Sequence, residues 1–155
     1  MGWRDEHYYD FILHGLQFGD PEQDDFDDPS VIDKVLDATK ITLSQAVNTE
    51  RDGFTYLYDS GDDWYHKITL VSILPIEPKL TYPFCLTGEG ACPPENVGGI
   101  LGYYSMLEDL QQGNAESSRH LSWLKSCGYH DFGPLAFDIE ETNQTLAKLF
   151  NSQRR

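Results

Sequence analysis

The sequence is short of basic residues, of cysteine and of long apolar runs, and each shortage excludes a class of protein. Lys and Arg number 11 against 26 Asp and Glu, so the formal net charge is −15. A surface this acidic repels phosphate backbones, which disfavours nucleic-acid binding. No run of about 18 apolar residues is present, so no membrane-spanning helix is predicted. Three cysteines and no apolar signal-peptide core predict a reduced, cytoplasmic protein rather than a disulfide scaffold.

Aromatic side chains are what the sequence has in abundance. Nine Tyr, eight Phe and three Trp supplement a hydrophobic fraction of only 39%, and large rings of this kind can fill a core. A chain of 155 residues is one domain by length and can bury a core without disulfides. No internal repeat or linker divides the chain, so the sequence predicts a single domain over residues 1–155.

Period-two patterns in the first half of the chain predict β-strands. Residues 7–13 combine aromatic and β-branched side chains, and an acidic loop follows at residues 19–30. In residues 54–59 the aromatic side chains Phe54, Tyr56 and Tyr58 alternate with Thr55, Leu57 and Asp59. Residues 60–63 have the composition of a turn. Residues 64–76 then return as a long second strand, which completes a β-hairpin.

The second strand of this hairpin has one apolar face. Trp64, His66 and Ile68 share that face because side chains alternate along a strand, and Leu70 continues it. Pro75 is expected to end the strand, since it has no N–H to donate. We therefore expect Trp64 to be a buried core residue.

Helical periodicity dominates the second half, after a long loop at residues 81–99. Residues 100–110 carry an amphipathic pattern, and a second helix is predicted over residues 115–125 with Asn114 as its N-cap. A last helix is predicted to start at Asp138. Strands precede helices in this order, which predicts an α+β fold: an antiparallel or mixed sheet with C-terminal helices packed on it.

Two segments of the chain resemble motifs of a known family. Residues 54–66 read Phe-Thr-Tyr-Leu-Tyr-Asp-Ser-Gly-Asp-Asp-Trp-Tyr-His, and residues 85–103 read Cys-Leu-Thr-Gly-Glu-Gly-Ala-Cys-Pro-Pro-Glu-Asn-Val-Gly-Gly-Ile-Leu-Gly-Tyr. Together they resemble the plasmid pRiA4b ORF-3-like family, although Ser60 and Asn96 replace the usual Phe and Asp. The resemblance implies a roll-like α+β fold and no established activity. It links the chain to plasmids and transposable elements, where some members are labelled transposon passenger proteins of the TnpR type.

The same resemblance implies a strand and a helix ahead of Gly2 that this chain lacks, so we expect either a domain whose start was cut or one without these front elements. A sheet that loses a neighbouring strand exposes an edge. Uncovered apolar side chains are then expected in the first strand, at Tyr8, Tyr9, Phe11, Ile12 and Leu13. The sequence therefore predicts a protein partner, or a homo-oligomer formed through the N-terminal strand.

The two motif segments are expected to meet at one surface, because a long ordered loop needs packing partners. A histidine beside carboxylates is a usable general base, although turn carboxylates more often bond their own backbone. The N–H groups where Gly98 and Gly99 open a helix offer an anion site, or simply a turn into the helix. The candidate functional surface comprises Asp59, Asp62, Trp64, His66, Glu95, Gly98, Gly99 and Tyr103.

A zinc site is a further hypothesis. His66, Cys85 and Cys92 are ligand types that zinc prefers, and Asp62 or Glu95 would supply oxygen donors. The alternative is that both cysteines are small buried hydrophobes and that His66 is a hydrogen-bonded core histidine. The absence of a Cys-x-x-Cys pair favours the alternative.

These observations predict a binding or accessory domain associated with plasmids or transposable elements. One alternative is a metal-dependent, hydrolase-like enzyme with a site around His66, Asp62 and Glu95. A DNA-binding accessory protein is a second alternative, which follows from the link to transposable elements and is opposed by the net charge.

Overall fold

The structure is a computed structural model that describes residues 2–20, 35–113 and 115–152. The acidic loop predicted at residues 19–30 falls almost wholly outside this part of the chain, as does the helix cap predicted at Asn114. The chain forms two compact units. One comprises Arg4–Leu74 and Glu95–Ser105, and the other comprises Met1–Trp3, Pro75–Pro94 and Met106–Arg155. The prediction of a single domain stays a prediction.

The first unit contains a five-stranded mixed sheet. Its strands are β1 (Tyr9–Leu13), β2 (Leu16–Gly19), β3 (Leu36–Asp37), β4 (Gly53–Tyr58) and β5 (Trp64–Thr69). Their order across the sheet is β3-β2-β1-β4-β5. Neighbouring strands are antiparallel except for β2 and β3, which are parallel. Together with the helices described below, this sheet confirms the predicted α+β class.

β1 lies inside the sheet and has a partner on each side. His14 and Gly15 have φ angles of 51° and 78°, the left-handed conformation that a tight hairpin needs. They turn the chain so that β2 pairs along one side of β1, while β4 pairs along the other. β1 therefore has no free edge, contrary to the expectation from the sequence. The oligomer through this strand stays a prediction, and it would have to use side chains rather than backbone.

One face of the sheet is apolar from strand to strand. The register places Tyr56 between Phe11 and His66, and Tyr58 between Tyr9 and Trp64. This aromatic face consists of Tyr9, Phe11, Leu13, Phe54, Tyr56, Tyr58, Trp64, His66 and Ile68. Its most deeply buried part is the hairpin end, where Tyr58 is 2% exposed.

β5 is shorter than predicted. It ends at Thr69 rather than at residue 76. Leu70 still exchanges backbone hydrogen bonds with the chain that enters β4, at 2.7 Å to Asp52 and 2.8 Å to Arg51. Beyond Leu70 the described residues offer no partner strand, so the apolar pattern continues without a ladder. The expected apolar face is buried at Trp64 but 36% exposed at Ile68.

The helices follow the predicted order. A 3₁₀ turn at Ala38–Lys40 precedes α1 (Leu43–Ala46), and three longer helices follow, α2 (Gly99–Gln112), α3 (Ala115–Ser126) and α4 (Ile139–Ser152). Asp138 caps α4, because its Oδ1 accepts from the N–H groups of Glu140 at 2.8 Å and Glu141 at 2.9 Å. Among the described residues, no helix combines the length and apolar character needed to cross a membrane.

The second unit buries Met106 and Leu124, which are 0% and 1% exposed. A side-chain amide ties its long loop to α4. Asn143 Oδ1 accepts from the N–H of Cys85 at 2.6 Å, and Asn143 Nδ2 donates to the carbonyl of Cys85 at 3.0 Å. The amide thus pairs with the backbone of Cys85 as a neighbouring strand would.

Candidate functional site

The turn between β4 and β5 is organised by Asp59. Its Oδ1 accepts from the N–H groups of Gly61 at 2.9 Å and Asp62 at 3.2 Å. Asp59 and Asp63 both have positive φ angles, 58° and 56°. Asp59 is only 7% exposed. This carboxylate therefore does what turn carboxylates usually do, bonding its own backbone, and one of its oxygens remains for other partners.

Glu95 is the second buried carboxylate, at 5% exposure. Its Oε1 accepts from the N–H of Arg4 at 2.8 Å, and the Tyr58 hydroxyl lies 3.1 Å and 3.3 Å from its two oxygens. The same hydroxyl accepts from the N–H of Glu6 at 3.1 Å. Burial, and then the neighbouring Glu95 carboxylate, raise the pKa of Tyr58 to about 12. Tyr58 therefore remains a hydrogen-bond donor to Glu95 at neutral pH.

His7 completes this group, and sequence reasoning missed it. Its Nε2 lies 3.5 Å from Asp59 Oδ2 and 3.9 Å from Glu95 Oε2. The ring also meets Tyr58 edge-on, with centroids 6.0 Å apart. The backbone explains the placement, because the N–H of Asp59 donates to the carbonyl of Tyr8 at 2.9 Å. No local pattern signals this contact, which depends on how the first strand pairs with the hairpin.

We call His7, Tyr58, Asp59 and Glu95 the Glu95 cluster. An imidazole beside two carboxylates can exchange a proton. The carboxylates, however, are buried and already bond the backbone or Tyr58. These contacts therefore join the N-terminal residues that precede β1, the turn between β4 and β5, and Glu95 in the loop before α2. The role they indicate is structural.

The hairpin turn is in direct contact with the two glycines at the start of α2 through Asp62, which is one part of the predicted meeting of the two motif segments. Asp62 Oδ2 accepts from the N–H of Gly98 at 3.1 Å. Gly98 and Gly99 have φ angles of 89° and 64°. A Cβ on Gly99 would lie 2.5 Å from the carbonyl oxygen of Asp62, so only glycine permits the approach. Asp62 thus occupies the position at Gly98 where an external anion would bind under the anion-site alternative.

Two further members of the candidate surface pack together. The Trp64 and Tyr103 rings meet edge-on with centroids 6.4 Å apart, and Trp64 is 9% exposed. Trp64 is therefore a core residue, as the sequence predicts.

His66 lies on the aromatic face instead. Its Nδ1 is 3.0 Å from the carbonyl oxygen of Tyr56, and the two rings are 5.4 Å apart. A carbonyl only accepts, so Nδ1 carries the proton in this contact. This geometry is that of a hydrogen-bonded histidine in the sheet.

The predicted zinc ligands gain no support from the geometry. Within residues 2–20, 35–113 and 115–152, no group of three or more His, Cys, Asp or Glu side chains is placed to hold a metal ion. Cys85 Sγ donates to the carbonyl of Thr87 at 3.2 Å. A Cβ on Gly2 would lie 3.0 Å from the Cβ of Cys92. The zinc site at His66, Cys85 and Cys92 stays a prediction.

Comparison with known proteins places this geometry in a family. The family model described as "Plasmid pRiA4b ORF-3-like protein" matches residues 1–142. The uncharacterized protein y4hQ of Sinorhizobium fredii is 35% identical over 150 residues, which are 96% of this chain and 73% of that protein. The crystal structure of MM3350 from Methanosarcina mazei Go1, a protein of unknown function, matches with a TM-score of 0.72 and 29% identity. That match covers 90% of this chain and 75% of the other. The chain belongs to the plasmid pRiA4b ORF-3-like protein family.

Proposed function

We propose that this chain is a protein-binding accessory domain that binds its partner along the outer side of β5 and the chain that follows it. We call residues 64–74 the β5 edge. One observation carries the proposal. Val71, Ile73 and Leu74 are 81%, 65% and 77% exposed, and they directly follow β5, which is the edge strand of the sheet. Adjacent apolar side chains at this exposure on a sheet edge are typical of an interaction surface.

Strand addition is the binding mode that suits the β5 edge. Within the described residues, β5 pairs with β4 alone. The N–H of Tyr65 bonds to the carbonyl of Asp63, and the outward N–H and C=O groups of Lys67 and Thr69 are open to a partner strand. Covering Val71, Ile73 and Leu74 would contribute roughly 1.5–3 kcal/mol for each side chain that becomes fully buried. Backbone hydrogen bonds would set the register, and the apolar side chains would supply most of the affinity.

The proposal also includes an association with plasmids or transposable elements and a cytoplasmic location. The family description names a plasmid reading frame, which supports an accessory role on plasmids or transposable elements. Cys85, Cys92 and Cys127 form no disulfide bond with one another, which supports a reducing, cytoplasmic location.

A random-peptide phage library panned against the immobilised chain tests the proposal without requiring a known partner. We expect enrichment of apolar peptides that bind the purified wild-type chain. Ile73→Lys should abolish this binding, because a lysine among the exposed apolar side chains of the β5 edge would be desolvated in the complex. Leu101→Lys is the matched control, since Leu101 is an exposed apolar residue on α2 at 85% exposure.

Both substitutions are at the surface, so neither should change stability by more than about 0.5 kcal/mol. The proposal is wrong if no peptide is enriched. It is also wrong if the enriched peptides bind the Ile73→Lys and wild-type chains equally well.

A further inference from the structure

We propose that the natural occupant of the β5 edge is a second copy of this chain, added as an antiparallel strand across a two-fold axis at Ser72. This inference rests on the proposed function and names the partner of the same surface. Two observations carry it: the symmetry of the segment and the direction of its backbone groups.

The sequence around Ser72 is nearly palindromic. Residues 70–74 read Leu-Val-Ser-Ile-Leu, so an antiparallel copy centred on Ser72 sets Val71 against Ile73 and Leu70 against Leu74. A two-fold interface brings the same surface patch of both subunits together and must be self-complementary. Apolar and β-branched side chains facing each other across two strands are favourable pairs. The segment therefore meets the requirement of an isologous contact.

The backbone is aligned for this pairing. Leu70 directs its N–H and C=O toward the chain entering β4, where both are bonded. In an extended strand successive residues direct these groups to opposite sides. Val71 and Ile73 would therefore present theirs outward once the segment is extended. They would exchange both hydrogen bonds with Ile73 and Val71 of the second copy, leaving Ser72 as the non-hydrogen-bonded pair.

The charge around the segment sets the conditions for this pairing. No Asp or Glu occurs in the sequence between Asp63 and Glu77, whereas Lys67 lies within that stretch. One carboxylate nevertheless lies beside Ser72, because the Ser72 hydroxyl donates to Glu50 Oε1 at 3.2 Å. The chain as a whole carries −15, so two copies repel each other and pairing at Ser72 depends on salt.

Pairing would also extend β5. The sequence pattern predicts a strand to residue 76, but β5 stops at Thr69. A second copy supplies the missing partner over residues 70–74, and Pro75, which has no N–H, then ends the ladder.

Cross-linking at the symmetry axis tests the proposal. Non-hydrogen-bonded pairs in antiparallel strands have Cα atoms about 4.5 Å apart, within the range a disulfide bridges. A Ser72→Cys chain, with its three native cysteines replaced by Ser, should form a covalent dimer under mild oxidation, linked through position 72. Leu101→Cys in the same background is the control and should stay monomeric.

Sedimentation of the unmodified chain at several concentrations completes the test. We expect a reversible dimer that Ile73→Lys dissociates and that salt strengthens, because salt screens repulsion between like charges. A monomer at all concentrations overturns the second copy as occupant. If this monomer still binds selected peptides through Ile73, the proposed function stands; if it binds none, that function falls too. A dimer that survives Ile73→Lys and forms no link at position 72 uses another surface and overturns the inference.

Discussion

Removing the hydroxyl of Tyr58 is the perturbation whose consequences the structure defines best. Tyr58→Phe keeps the ring in place but leaves the buried Glu95 carboxylate without one donor and the N–H of Glu6 without its acceptor. Hydrogen bonds to charged groups contribute about 1.5–3 kcal/mol when the partner is left buried. We expect the free energy of unfolding to fall by about that amount at neutral pH.

The pH dependence supplies a second, independent readout. Tyrosine normally titrates at 10.0, whereas the folded chain raises the pKa of Tyr58 to about 12. Above pH 10 the unfolded chain loses a proton that the folded chain keeps, so stability falls as pH rises. The contribution is fully present below pH 10 and is lost by pH 12, a change of roughly 2–3 kcal/mol. The Tyr58→Phe chain should lack this component.

Urea denaturation of both chains, followed by tryptophan fluorescence between pH 7 and 11, measures both effects. Tyr9 and Tyr56 also have raised pKa values, so the difference between the two chains is the informative quantity. Tyr65→Phe is the control, because Tyr65 is 60% exposed and should change little. Equal stabilities for the wild-type and Tyr58→Phe chains at neutral pH would refute the role given to the Glu95 cluster.

Three further substitutions test the packing. Trp64→Ala should lower the free energy of unfolding, measured by urea denaturation, by about 3–5 kcal/mol, and the exposed control Tyr65→Thr should lower it by under about 0.5 kcal/mol. Equal losses for the two substitutions would place Trp64 outside the core. Gly99→Ala should destabilise by roughly 1–3 kcal/mol more than Gly113→Ala, because both have a φ of 64° but only Gly99 meets a carbonyl oxygen; equal thermal melts would contradict that close approach. Asn143→Ala should lower the free energy of unfolding by about 1–3 kcal/mol, and Asn143→Asp should give a stability between that of the wild-type and Asn143→Ala chains. An unchanged urea midpoint for Asn143→Ala would show that the two hydrogen bonds to the backbone of Cys85 are dispensable.

Local chemistry made the hairpin and the helices predictable. The turn around Asp59 and the cap at Asp138 form from neighbouring residues, so their signals lie within a few positions of the chain. The contact between Asp62 and Gly98 could be anticipated too, because a two-glycine turn before a helix leaves room for a close neighbour.

The remainder depended on pairing between distant segments. β2 has a local signal in His14-Gly15, a dipeptide suited to a tight turn, and sequence reasoning overlooked it. His7 has no such signal, since it meets Asp59 only because β1 pairs with β4. The predicted length of β5 was wrong for the same reason. A strand ends where its partner strand ends, whereas the apolar pattern in the sequence continues further.

Amide hydrogen exchange over residues 64–74 tests the central claim most directly, since that claim is that the β5 edge binds a partner strand. The measurement compares dilute chain with concentrated chain, or with chain carrying a selected peptide. Exchange at Val71 and Ile73 should slow by roughly tenfold or more when the edge is occupied, while the exposed face of α2 stays unchanged. Equal exchange at residues 64–74 in every state, although a partner is bound, would show that binding takes place elsewhere.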